Sequence, residues 1–196
     1  MGSLEMLGII VAALLMLAAA TYALTRQHRQ RTRARHLRGE FGPEYDYTLR
    51  RLGSRRAAVR ELDRRHARVR RLHLRELREE DAQYFSDRWL DAQTRFVDDP
   101  LGAIAGANEI VKELMHARGY PIREFEQRAA DLSVDHPQFV QSYRAAHAIA
   151  ERATSGMAST EDLRRALVHY RAIFADLLGD TRRTPDPGPR RLSHAT

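Results

Sequence analysis

Hydrophobic and polar positions follow one rule in the first twenty-five residues and another after them. Residues 6–25 (MLGIIVAALLMLAAATYALT) hold no charged side chain. Wound as an α-helix rising 1.5 Å per residue, they reach about 30 Å, the thickness of a bilayer hydrocarbon core. Residues 26–38 then place six arginines and no acid in thirteen positions. Further along, apolar side chains recur every three or four residues, the helical interval, and no stretch alternates as a strand would. The pattern predicts an all-α protein: a single N-terminal transmembrane helix, then a soluble bundle of about five or six helices.

The elements can be read in turn. Gly39 to Asp46 predicts a turn-rich hinge, with Gly42-Pro43 breaking any helix that continues from the anchor. Residues 47–80 predict one long polar helix with a thin apolar stripe: Leu52, Val59, Leu62 and Val69 hold a/d spacing, but His66 and His73 take the next positions. Two heptads are too few for a coiled coil. Phe85, Trp89 and Phe96 share a face over 81–97 with Ala82 and Ala92 between them, which marks a core helix. Asp98-Asp99-Pro100 supplies an N-cap and a first-turn proline, so the next helix starts there, turns Ile104, Ala107, Val111 and Leu114 inward, and stops at Gly119. Pro121 opens a short helix burying Ile122, Phe125, Ala129 and Leu132. Ser133-Val-Asp-His-Pro137 reads as a second cap-and-proline start, for a helix to about Ala153 with Phe139, Tyr143, Ala146, Ala150 and Ala153 on its stripe. Ser159-Thr-Glu-Asp162 is a capping box opening a helix with Leu163, Leu167, Tyr170, Phe174 and Leu177 in one row and Gly179 as its stop. Residues 180–196, with three prolines, bury too little to fold and read as a disordered tail. The domain plan is an anchor (1–25), a basic juxtamembrane segment and hinge (26–46), a helical domain (47–179) and the tail.

Charge sharpens the picture of location. A cleaved signal peptide needs a basic start and a shorter apolar run; here the only charged side chain before the run is Glu5, and the arginines directly after it would resist translocation. The positive-inside bias predicts an uncleaved single span, N-terminus outside and the rest cytoplasmic at the cell membrane. The net charge of +7 is uneven: residues 26–38 carry +6, 39–80 carry +4, 81–179 carry −4 and the tail +2. Such a juxtamembrane cluster suits a lipid bilayer with anionic head groups. Nucleic acid is the weaker reading, because residues 26–38 offer no aromatic besides His28 and His36. The 32 arginines against the single Lys112 look like codon composition, so arginine number alone argues for no ligand. With no cysteine, disulfides, thiolate metal sites and cysteine nucleophiles are excluded.

Candidate chemistry is sparse. Glu113-Leu-Met-His116 is a Glu-x-x-His step of the kind di-iron bundles use twice, but it occurs once on its face, and Asp63-Arg-Arg-His66 is an exposed pair on a polar helix. His136, before Pro137 at a helix start, predicts packing or capping, since a donor-rich N-terminus disfavours a cationic imidazole. His169 lies on a wet row with Asp162, Arg165 and Asp176. More informative are Tyr143-Arg144 and Tyr170-Arg171: neither arginine has a carboxylate three or four residues away. An arginine on a half-apolar surface needs a partner from elsewhere. One reading pairs them with loop aspartates, Asp98, Asp99 and Asp135 first and Asp131 after. The other makes Arg144, Arg171, Tyr143, Tyr170 and His147 an anion or protein-partner contact. No phosphate loop, Ser-His-Asp grouping or metal spacing is present, and no catalytic residue, metal or cofactor is predicted. The function read from this is a non-enzymatic interaction or scaffold module at the cytoplasmic membrane face; the alternative is a small-molecule or anion-binding sensor or hydrolase with a pocket between the C-terminal helices.

Several local motifs together, FGPEYD (41–46), RFVDDP (95–100), RGYP (118–121), DLSVDHP (131–137), STEDLR (159–164), and Tyr170-Arg171 with Leu177-Leu178, resemble an uncharacterised bacterial family of small helical proteins that often carry one N-terminal span. The resemblance covers about residues 40–178 and implies an all-helical, cytoplasmic or membrane-associated protein with no assigned activity. Two departures stand out. Leu74-Arg75-Glu76-Leu77 replaces the family's Ile-Arg-Pro-Leu, so a helix break expected there loses its proline, and Asn108 replaces an aspartate.

Overall fold

A computed structural model of the chain describes residues 2–179; within its first helix the side chains of residues 3–13, 23, 26, 27, 29 and 30 lie outside the description. The predicted disordered tail also lies outside the described residues, as does part of the predicted span, residues 6–25. Among the described residues every regular element is helical, and no helix is long and apolar enough to cross a membrane. The helices are α1 (Ser3–Phe41), α2 (Pro43–Leu52), α3 (Arg55–Val69), α4 (Glu79–Arg95), α5 (Pro100–Ala117), α6 (Phe125–Asp135), α7 (Val140–Thr154) and α8 (Thr160–Gly179). They divide into two compact units, residues 1–66 and residues 67 onward.

In the first unit the backbone of α1 is one helix from residue 3 to Phe41, so the predicted hinge shrinks to a single residue. Gly42 takes a positive φ of 49°, and Pro43 starts α2 at once, where its missing N–H costs nothing. Gly53, also at positive φ, ends α2, so the long polar helix expected from residue 47 is interrupted early. The buried side of α3 is Ala58, Leu62, Arg65 and Val69; of the expected stripe Leu62 and Val69 are buried, Val59 is half-buried and Leu52 is exposed. Arg65 is fully buried because Glu44, itself fully buried, accepts a 2.7 Å hydrogen bond from its Nη1, and Glu61 accepts another at 3.2 Å. Arg33 and Asp63 (Nε to Oδ1, 3.0 Å), the edge-to-face packing of His66 on Phe41 and the 2.9 Å approach of His66 to Glu40 tie α1 to α3.

The second unit opens with a second interruption. After Val69 the chain turns, and residues 73–78 run without helical structure to the start of α4. The break predicted to be lost with the proline is therefore present, and tertiary contacts impose it. The Arg75 backbone N–H donates to the Arg118 carbonyl (3.0 Å), its guanidinium donates to the Ala117 carbonyl (2.6 Å), and Gly119 lies so close that a Cβ there would sit 2.5 Å from the His73 carbonyl oxygen. Beyond this connector one apolar core gathers α4, α5, α7 and α8, with Ile104, Leu114, Tyr143, Tyr170 and Ile173 at or near full burial. α8 packs on both α5 and α7, and α4 packs on α5. Trp89 stacks flat on Phe174, ring centroids 4.6 Å apart.

The start signals separate cleanly. Asp99 caps α5, accepting from the Gly102 N–H at 2.9 Å, and the Ser159–Asp162 box closes in both directions at 3.0 and 3.1 Å. The other two fail. Pro121 precedes an extended stretch, so α6 begins only at Phe125 and Ile122 is exposed. Ser133 is a buried residue inside α6 whose hydroxyl turns back to the Ala130 carbonyl, and α7 begins at Val140 without a side-chain cap.

Candidate functional site

The two tyrosines come together on neighbouring helices. Tyr143 of α7 and Tyr170 of α8 are fully buried and meet edge to face, centroids 6.3 Å apart. The Tyr143 hydroxyl accepts a 3.2 Å hydrogen bond from Arg128 Nε, and the Tyr170 hydroxyl donates to Asn108 Oδ1 at 3.2 Å. Burial pushes both phenols above their ordinary range; for Tyr143 the Arg128 charge works against the rise, and for Tyr170 the neighbouring Tyr143 adds to it. Neither is a source of phenolate, and both read as polar-tipped core residues whose hydroxyls have found partners. Asn108 is the neutral acceptor that satisfies the Tyr170 hydroxyl without setting a charge beside it.

His147 stacks face to face on Phe125, centroids 3.6 Å apart, and Phe125 also touches Tyr143. Burial lowers the His147 pKa, against the pull of Glu151 3.8 Å away, so the stacked ring is neutral at physiological pH. Arg144 is 10% exposed and donates from Nη1 to Glu126 of α6 at 2.9 Å. Its carboxylate is thus Glu126, not Asp98, Asp99 or Asp135. Asp99 is spent on the α5 cap and on Arg95 (Nε to Oδ2, 3.0 Å), which hold it below the usual carboxylate range. Asp135 accepts from the Tyr120 hydroxyl at 2.7 Å, and the exposed Asp98 makes only a backbone contact. α6 packs along α7 and carries its own acid to Arg144.

Arg171 stands apart from this group. It is exposed on α8 and has no ion pair or side-chain hydrogen bond among the described residues. Its guanidinium edges a cleft of about 810 Å³ between α4 and α8, whose floor includes Leu77, Trp89 and Phe174 and whose α4 wall carries Glu79, Gln83 and Ser86. The Ser86 hydroxyl is committed to the Ala82 carbonyl at 2.8 Å. A shallower cleft of about 450 Å³ between α5 and α7 is lined by Leu101, Gly106, Asn108, His147 and Glu151. The five residues nominated together as one contact are therefore divided: Tyr143, Tyr170, His147 and Arg144 build the α6–α7–α8 seam, and Arg171 faces a different cleft.

Buried ionic groups that the sequence concealed lie elsewhere. His136, 5% exposed, contacts Asp176 through Nδ1; Arg68 donates to the buried Asp131 at 2.6 Å; Arg118 reaches the Leu177 carbonyl at 2.9 Å and so caps the end of α8. These partners are 40, 63 and 59 residues apart in the chain, and no local spacing announces them. Glu113 pairs with Arg88, leaving His116 exposed and alone on its face. Among the described residues no group of three His, Asp or Glu side chains could hold a metal ion. An apolar floor, a largely polar α4 wall and the guanidinium of Arg171, unpaired among the described residues, equip the α4–α8 cleft to bind.

Comparison with protein families, with characterised proteins and with solved structures finds no match to the chain.

Proposed function

We propose that the protein is a membrane-anchored helical interaction module, tethered by its N-terminal segment with the helices after it on the cytoplasmic side. One observation carries this reading. Along α1 the consecutive side chains Leu14, Leu15, Met16 and Leu17 are 59–71% exposed, and Tyr22 and Leu24 are equally bare. Four consecutive residues point to every side of a helix, so the segment is apolar all round rather than amphipathic, which fits a lipid surround. The charge-free run of residues 6–25 and the arginines of 26–38 agree with it, the latter as a contact for anionic head groups. The resemblance to an uncharacterised bacterial family belongs with this reading and adds no activity.

The test is direct. Single cysteines replacing Ser3 and Ser155 in this cysteine-free chain are exposed to an impermeant thiol reagent on intact cells. Labelling at residue 3 and protection at residue 155 is expected. The reverse pattern inverts the topology, and release of the protein by alkaline carbonate removes the anchor altogether.

A second reading, a small-molecule or anion-binding sensor or hydrolase, has the lone Arg171 at a cleft of about 810 Å³ in its favour. It would need further polar groups converging with Arg171, and Arg144, the other arginine nominated for such a pocket, is engaged with Glu126.

A further inference from the structure

We infer that the α4–α8 cleft is a docking groove for one amphipathic helix of a partner protein, oriented by an acidic side chain that meets Arg171. This names the partner surface of the interaction module proposed above and rests on that reading.

The shape of the groove comes from the helix arrangement. α4 and α8 each pack against α5 and meet through the Trp89–Phe174 stack, which leaves a furrow open to solvent. Its α4 wall runs from Glu79 to Gln93, about 21 Å of helix, the length of a four-turn helix laid alongside. Both walls are helices whose backbone groups are satisfied internally, so they offer no edge for an extended strand to join. The apolar surface reaches past the lining: Leu90 on α4 and Val168 on α8, 62% and 55% exposed, each lie within one turn of a lining residue.

The charges give the occupant its direction. On the same set of helices Arg88, Arg95, Lys112, Arg144, Arg164 and Arg165 each reach a carboxylate, and Arg152 reaches only the Ala148 carbonyl. Arg171 and Glu79, both lining the groove, have none and no cation respectively among the described residues. They stand about two turns apart along it. Arg118 ties the end of α5 to the end of α8, and Arg75 ties the same end of α5 to the connector into α4, so Glu79 starts α4 beside the end of α8. Arg171 lies eight residues back along α8, about 12 Å away along the axis. A complementary helix has apolar residues at intervals of three and four, an acid at one end of that face and a base about two turns away. The rest of the α4 rim, Gln83, Ser86 and Gln93, is uncharged and sets no further sign.

Trp89 is the sole tryptophan of the chain and lies on the groove floor, so its emission reads occupancy directly. The full chain in lipid nanodiscs is titrated with a synthetic tryptophan-free sixteen-residue helix bearing a leucine stripe, one Glu and one Lys two turns apart. A second peptide has those two charges exchanged. Saturable change in Trp89 emission is expected with the first peptide. Arg171→Glu should weaken it about fivefold to tenfold, the scale of reversing one exposed charge contact, and strengthen the exchanged peptide. Ala175→Phe, which fills the exposed groove wall, should abolish both. The inference is overturned if neither peptide changes Trp89 emission, if Arg171→Glu leaves both affinities alike, or if Ala175→Phe binds as the parent does. Concentration-dependent self-association of the peptide-free chain, abolished by Arg171→Glu, would overturn the partner assignment by giving the groove to a second copy. None of these readings changes if the membrane anchor is disproved, so the two proposals fail separately.

Discussion

Residues 1–66 and the bundle after them hold helices together with different balances of charged and apolar contacts. The first unit has 13 arginines against 6 acidic residues and carries the whole net charge of +7, whereas residues 67–196 balance 20 basic with 20 acidic side chains. The first unit joins its helices through ions: Arg65 with Glu44 at full burial, Arg33 with Asp63, Arg38 with Asp46 at 3.3 Å. The second joins them through one apolar core in which Trp89 lies flat on Phe174. A buried ion pair gives little net stability, because desolvation offsets the attraction, yet removing one member strands the other charge. A buried aromatic contributes by itself, in proportion to the area it covers. The first unit therefore adds the mutual dependence of Arg65 and Glu44 to a small apolar set (Leu37, Phe41, Tyr45, Leu62), while the second rests chiefly on the sum of a larger apolar core.

The sharpest break of that comparison is a pair of substitutions. Trp89→Ala and Arg65→Met should each cost about 3–5 kcal/mol, one by opening a large cavity and the other by leaving Glu44 as an unpaired buried charge. They part on repair. Arg65→Met combined with Glu44→Leu should regain most of the loss, followed as hydrogen-exchange protection over residues 43–66, while no single partner change restores Trp89→Ala. If the double variant is as weak as the single one, the first unit depends on shape rather than on paired charge.

A smaller effect belongs to the connector. Gly119 has φ 94°, and an added Cβ would meet the His73 carbonyl oxygen at 2.5 Å. Gly119→Ala should cost about 1–3 kcal/mol in urea unfolding. A neutral result would mean that residues 73–78 move aside at no expense. Smaller again is Arg144→Met, expected to lose about 1 kcal/mol because Glu126 is 56% exposed and solvent takes over its charge. A loss above about 3 kcal/mol would make this pair equivalent to Arg65–Glu44 and erase the contrast between the units. The smallest effect is on pH. Burial holds His147 below its ordinary value of 6.5, so the unfolded chain takes up that proton first. Its contribution is full above the unfolded value and drains as pH falls through it toward the folded one. Unfolding midpoints at pH 7.5 and 5.5 should therefore differ less in His147→Gln than in the parent; an equal difference would show the ring to be solvated.

Legibility followed distance along the chain. The Asp99 cap and the Ser159–Asp162 box are complete within four residues, and both could be read before any fold was known. The same grammar misled at Ser133 and Pro121, where tertiary contacts outweigh a weak local signal: Ser133 is buried within α6, and α6 starts four residues after Pro121. The break over residues 73–78 has no glycine or proline, being imposed by Arg118 and Gly119 more than forty residues away. Arg65 looked like one more charge on a polar helix, because its partner lies 21 residues back, on the far side of the Gly53 break. Trp89 and the inward row of α8 were evident from periodicity, which depends only on where apolar side chains recur. What that periodicity cannot give is which acid meets which arginine: Glu126 and Asp176 sit among 26 acidic residues with nothing nearby to distinguish them.

The central place of α8 has a consequence for synthesis. This helix packs on α5 and α7, supplies the ring that covers Trp89, and receives its C-terminal cap from Arg118. None of those contacts exists until the ribosome has added Leu177, about 100 residues after it began α4. At 5–20 residues per second that interval is roughly 5–20 s. Throughout it the aromatic face of α4 waits without its lid, while Arg65 and Glu44 are both already in the chain.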